Sequence, residues 1–162
     1  MKKIRAYFFI ICCWSSLIAQ DWQTLPSFPG VARDDAAGFV IGDELFIGSG
    51  LSPWWSALAD FYRYQSATNQ WVNAASLPSG AERQYACGFT LNASGYVFGG
   101  YNGVDYLNDM WRYEPSADTW LLSDSLPSFG RSGAASFVLN NRLYLLGGKH
   151  AAGAATDEVW SY

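Results

Sequence analysis

The chain has 162 residues, half of them apolar and 17% aromatic, with 16 glycines and 15% charged residues. That length suits one domain and that apolar fraction suits a packed core, which excludes a generally disordered chain. Lys and Arg number 10 against 14 Asp and Glu, and three of the cations stand within the first five positions, so the remaining body is acidic and poorly matched to a nucleic acid.

Lys2, Lys3 and Arg5 precede an apolar stretch from Ala6 to Ala19 that only Ser15 and Ser16 interrupt. This is the layout of a secretory signal peptide over residues 1–19, with cleavage expected after Ala19 and Gln20 as the alternative. The apolar run is shorter than the ~20 residues of a membrane helix. The expected location is therefore secreted or periplasmic, with no membrane span after cleavage. Cys12 and Cys13 follow Phe9, Ile10 and Ile11 rather than the small residues a lipid-attachment site wants. The mature chain, 20–162, keeps only Cys87, so no internal disulfide is expected.

A repeat then governs the chain. Trp22, Trp71 and Trp120 are spaced 49 and 49, as are Asp60, Asp109 and Glu158. Arg33, Arg83 and Arg131 are spaced 50 and 48. Gly48-Ser49-Gly50, Gly99-Gly100 and Gly147-Gly148 keep the same register, as do the pairs Tyr62/Tyr64, Trp111/Tyr113 and Trp160/Tyr162.

Each unit reads as four short strands. The first is apolar, as in 36–41, 86–91 and 134–139, and is expected to be buried on both faces. A polar hairpin turn follows at Gly42-Asp43, Asn92–Gly95 and Asn140-Asn141. The second strand ends in the glycines, which permit unusual φ and close backbone approach. A variable loop leads to a third strand near 60–64, 109–113 and 158–162. A fourth strand opens at Trp71 or Trp120 and ends in Leu77-Pro78 or Leu126-Pro127. Trp22–Leu25 matches a fourth strand standing alone. The recurring arginines are expected to bond carbonyls or a carboxylate between strands.

Strand, double glycine, variable loop, Asp-x-aromatic-x-Tyr, turn, Trp, Leu-Pro and Arg together resemble the kelch repeat, over residues 22–162. The run from Phe28 to Arg33 is similar to secreted bacterial kelch proteins. The resemblance implies an all-β propeller in which each repeat is one four-stranded antiparallel blade: about 31–80, 81–130 and 131–162, with 22–26 as a closing strand. Ser49 and Glu158 depart from the repeat's usual Gly and Asp; Ser49 is expected to loosen its turn. Propellers have ~4–8 blades, and this chain accounts for about three. Three readings stay open: a piece of a longer propeller, an open arc that pairs with a second copy, and an arc completed by another chain.

No catalytic set, metal-ligand spacing or cofactor motif stands out, with one His and Cys87 embedded in a strand. The copper ligands of kelch-fold oxidases are not matched. Function is therefore expected on the variable loops. Candidate ligand contacts are Trp54 and Trp55 in the first loop, Tyr101, Asn102, Asp105 and Tyr106 in the second, and His150 in the third. Rings beside Asn and Asp suit a sugar, stacking on its apolar face while the polar groups orient its hydroxyls. The reading is an exported, non-catalytic module binding a protein or a glycan. The alternative is a carbohydrate-active enzyme similar to the bacterial kelch proteins that interconvert sialic-acid anomers.

Overall fold

The computed structural model describes residues 22–162, so the signal peptide expected over 1–19, with Cys12 and Cys13, lies outside the described residues. Three antiparallel sheets follow one another, each with its strands in chain order. The first comprises β1 (Ala37–Ile41), β2 (Glu44–Gly48), β3 (Phe61–Gln65) and β4 (Gln70–Ala74). The second comprises β5 (Cys87–Leu91), β6 (Ser94–Phe98), β7 (Asp109–Glu114) and β8 (Thr119–Ser125). The third has three strands, β9 (Ala135–Leu139), β10 (Arg142–Leu146) and β11 (Val159–Ser161). The four-strand unit thus holds for the first two sheets. Among the described residues the regular helical structure is one 3-10 turn, Ala151–Gly153, and no helix is long and apolar enough to cross a membrane.

The hairpins between first and second strands are two-residue turns. Asn92-Ala93 and Asn140-Asn141 hold positive φ at both positions, the twist that matches a right-handed strand pair. Gly42 takes the positive φ in the first sheet. After the second strand, Gly99 and Gly100 sit at φ 62° and 103°, and Ser49 and Gly50 take nearly the same values, 53° and 96°. Ser49 does not loosen its turn. Its side chain is buried, its N–H donates to the Asp60 carbonyl at 3.1 Å, and its hydroxyl accepts from the Ala37 N–H.

The sheets pack face to face, with the first strands nearest one another. Between the first and second sheets, Phe39, Phe46 and Phe61 meet Val97, Tyr113 and Trp120. Phe39 lies parallel to Phe46 at 5.0 Å, and Trp120 stands edge-on to Phe39 at 5.9 Å, the geometries that ring quadrupoles favour. A Cβ on Gly95 would fall 2.0 Å from the Phe39 ring, so only glycine admits it. Between the second and third sheets, Phe89, Tyr96, Phe98 and Met110 meet Leu143 and Leu145.

The first strands are not uniformly buried on both faces. In β1, Ala37 and Phe39 are buried while Gly38 and Val40 are exposed, and β9 is largely exposed. Among the described residues only β5 comes close to double burial, because there only the second sheet has a neighbour on each side. The Trp22–Leu25 segment is not a strand in the single chain: it has no ladder partner, and Trp22 is fully exposed. A strand needs a neighbour to satisfy its backbone groups, and the first sheet offers this segment a face rather than an edge.

The recurring arginines clamp the units as expected. Arg83 is bidentate to Asp109, at 2.8 and 2.9 Å, and donates to the Gly99 carbonyl at 3.0 Å. Arg33 makes the same contacts to Asp60 and the Ser49 carbonyl. Arg131 reaches one oxygen of Glu158, at 2.5 Å, and the Gly147 carbonyl at 3.3 Å. Each pair ties the start of a unit to the turn and third strand of that unit.

Candidate functional site

The variable loops and the segments after each arginine gather at one end of the sheets. Leu51, Tyr101 and Lys149 occupy equivalent places, bridging back to Asp34, Gln84 and Ser132 respectively. They also bridge forward to Ala57, Tyr106 and Ala155. The loops reach across units too: the Gly50 N–H donates to Arg83 O and the Gly100 N–H to Arg131 O. The Tyr85 N–H likewise donates to Asp35 O and the Gly133 N–H to Tyr85 O. These bonds hold three loops as one rigid surface.

On that surface lies an open cleft of about 530 Å³, lined by Leu51, Trp55, Gln84, Tyr85, Tyr101, Tyr106, Ser132, Gly133 and Lys149. Tyr101 and Tyr106, with ring centroids 5.0 Å apart, form a wall shared with a second depression. That depression also contains Asp105 and Phe129. Trp55 borders the first cleft from a tight turn that opens with Ser52-Pro53 and is closed by the Trp55 N–H donating to Ser52 O at 3.0 Å. Two of the four cleft rings sit on strained backbone, Trp55 at φ 61° and Tyr85 at φ 56°. Bulky residues rarely adopt such φ, which costs about 1–2 kcal/mol each. The Asp35 carboxylate, by hydrogen bonding and by charge, pushes the Tyr85 hydroxyl above its ordinary pKa.

The structure therefore brings Trp55, Tyr101 and Tyr106 together at one cleft and places Asp105 beside the Tyr101–Tyr106 wall. Trp54 is 74% exposed and lines neither depression. The Asn102 carbonyl oxygen is engaged within its own loop, accepting from the Val104 and Asp105 N–H groups at 2.8 and 2.7 Å. His150 packs on Phe129, 4.3 Å between ring centroids, just before the 3-10 turn. Gln84, Tyr85 and Lys149 were not among the residues the sequence pointed to. A signal for the first two existed: they directly follow Arg83, where the other units carry Asp34-Asp35 and Ser132-Gly133. The residue two beyond each arginine has positive φ in all three units, so a tyrosine there is a costly choice.

The charged groups that recur in every unit belong to the scaffold. Burial alone would raise the Asp109 carboxyl, but the Arg83 guanidinium and the Trp111 indole N–H outweigh it and hold the pKa below its ordinary value. Bonds from Arg131 and Trp160 lower Glu158 in the same way. Burial pushes the Cys87 thiol up to about 11. Among the described residues no three His, Cys, Asp or Glu side chains are grouped to hold a metal ion.

The repeat geometry has counterparts among known proteins. The family profile described as Kelch motif matches residues 96–125, which span β6 to β8. The chain is 29% identical to Kelch-like protein 35 of Mus musculus over 141 residues, 87% of this chain and 23% of that protein. It is 34% identical to N-acetylneuraminate epimerase of Shigella sonnei (strain Ss046) over 86 residues, 50% of this chain and 23% of that protein. The chain thus spans about a quarter of the length of these curated relatives. The solved structure of YjhT superposes with a TM-score of 0.77 at 23% identity, covering 87% of this chain and 52% of that one. With a Kelch motif over β6 to β8, kelch-named relatives along the chain and this superposition, the recurring unit is a kelch repeat and its sheets are propeller blades.

Proposed function

We propose that this protein is an exported glycan-binding module whose ligand lies in the cleft between Trp55, Tyr85, Tyr101 and Tyr106. The observation that carries the reading is the convergence of four rings from two adjacent repeats on one cleft, two of them held on strained backbone. Backbone strain kept at a loop surface supports a functional role rather than a packing one. The rings offer flat apolar faces to a sugar, while Gln84 and Lys149 supply donors for its hydroxyl or carboxylate oxygens. Export rests on the cationic start and the apolar run ending at Ala19. N-terminal sequencing of protein recovered outside the cytoplasm should begin at Gln20 or Asp21; an intact Met1 there would end the export reading.

A second reading takes its support from the relative named N-acetylneuraminate epimerase. In it the same cleft holds N-acetylneuraminate, with Lys149 facing the sugar carboxylate, and the protein accelerates a change at the sugar. A glycan panel and NMR exchange measurements on N-acetylneuraminate separate the two. Binding that falls at least tenfold in Trp55→Ala and Tyr106→Ala, without accelerated exchange, is the result expected for a binding module. Exchange well above the uncatalysed rate would replace it with the second reading. Unaltered binding in both variants would remove the cleft from either.

A further inference from the structure

The wall formed by Tyr101 and Tyr106 has a depression on each side. The first is the cleft of about 530 Å³ that Trp55 and Tyr85 also line. The second, of about 440 Å³, lies between the second and third loops and adds Val104, Asp105, Phe129 and Gly130 to the shared pair. Both are of the size of small-ligand sites. Every residue that forms them lies between Leu51 and Gly153, so each is bounded by loops of successive blades.

The wall is held from below. A Cβ on Gly130 would run into the Tyr106 carbonyl, so glycine lets these two segments lie in contact. The Leu107 N–H donates to Gly100 O and the Arg131 N–H to Leu107 O, both at 2.9 Å. The Tyr101 hydroxyl donates to the Gly103 carbonyl at 2.8 Å, which fixes that ring. On the far side, Phe129 keeps 45% of its surface exposed while resting against His150 and the buried Arg131 guanidinium, 5.3 Å from its ring centroid. The spacing between the two depressions is therefore built into the fold.

A ligand that fills both needs an apolar face at two successive positions and a slim link between them. Linked pyranose rings have that form. A peptide is less suited, because its backbone is recognised through free strand edges. Here the Gly50, Gly100 and Tyr101 N–H groups and the Arg83, Arg131 and Gln84 carbonyls already bond one another. What the surface offers is ring faces and side-chain tips.

Charge distinguishes the two positions. Lys149 is the charged residue lining the first depression and Asp105 the one lining the second, and neither is in an ion pair among the described residues. A carboxylate is accepted beside Lys149 and repelled beside Asp105. Resting on the glycan reading above, we propose that the ligand is a chain of at least two linked sugar units that crosses the Tyr101–Tyr106 wall. One unit lies in each depression, the unit beside Asp105 is uncharged, and Phe129 is its far contact.

Titration calorimetry on the full chain tests this with three probe series: glucose to cellotetraose, N-acetylneuraminate against 3′-sialyllactose, and galacturonate to its tetramer. Whichever of the first two binds should gain at least about tenfold from one unit to the longer sugars, the effect of one further aromatic contact. The galacturonates, with a carboxylate on every unit, should gain nothing from length. Phe129→Ala should bring the longer sugars down to the affinity of the single unit, whereas Trp55→Ala should weaken every length alike. Phe129→Leu keeps apolar bulk against Arg131 and should remove most of the gain too, which covers a failure of Phe129→Ala to fold. A single unit bound as tightly as its oligomers, a gain that survives both Phe129 variants, or a gain with galacturonate length would each overturn the proposal and leave the glycan reading standing. No binding in any series would remove that reading, and this proposal with it.

Discussion

Arg83 and Asp109 form a bidentate pair in which the guanidinium is wholly buried while the carboxylate side chain keeps 24% of its surface in solvent. The two partners are therefore unequal. Loss of Asp109 strands a buried cation beside the carbonyls of Ala81 and Gly99, whereas loss of Arg83 leaves a carboxylate that water can reach.

Asp109→Ala should accordingly cost more than Arg83→Leu. Breaking a buried pair on the side that leaves an uncompensated charge costs about 3–5 kcal/mol. Urea unfolding of both variants measures the difference, and equal losses would contradict the asymmetry.

Acid should weaken the fold through the same carboxylates. The Asp109 and Glu158 pKa values lie below their ordinary values of 3.8 and 4.5. A depressed folded pKa contributes stability that is fully present above the unfolded value and is lost as pH falls through the folded one. Stability should therefore hold from neutrality to about pH 5 and decline below about pH 4, with a shallower decline in Asp109→Asn. Denaturant midpoints across that range give the check.

The three tryptophans should rank by burial. Trp120 is buried between two blades, Trp71 is half-buried under Phe28, and Trp54 is largely exposed. Trp120→Ala should cost about 3–5 kcal/mol, Trp71→Ala less, and Trp54→Ala under about 0.5 kcal/mol. Melting temperatures measured in parallel decide the order.

Tyr85→Gly should separate stability from binding. Gly133 occupies the same register at φ 62°, so glycine relieves the strain at φ 56° while losing chain entropy. Stability should stay within about 1 kcal/mol of wild type, while glycan affinity falls. Titration calorimetry and thermal melting on one preparation test both halves.

Cys87 should behave as an inert thiol. Its pKa is pushed up to about 11 and its Sγ donates to the Ala134 carbonyl at 3.1 Å. Roughly one thiol in a thousand is ionised at pH 8. Alkylation by a maleimide in the folded protein should be far slower than in urea; equal rates would show an open site.

The blades were legible in the sequence because everything that builds one lies within a single repeat. Strand and turn alternate every few residues, Ser49-Gly50 and Gly99-Gly100 mark the same bend, and Arg33, Arg83 and Arg131 each find their carboxylate 27, 26 and 27 residues on. The clamp was anticipated from recurrence alone. The loop rings Trp55, Tyr101 and Tyr106 stand out in the sequence, but not that they share a cleft with Gln84, Tyr85 and Lys149. Trp55 joins Gln84, Tyr85 and Tyr101 only because neighbouring blades meet at a fixed angle, set by Phe39, Phe46 and Phe61 against Tyr113 and Trp120. Asn102 turned inward because two N–H groups of its own loop needed an acceptor, and His150 settled on Phe129. Local spacing carries the strand order and the clamps, since their partners are near in the chain. The cleft depends on packing between repeats, whose orientation no spacing within a repeat encodes.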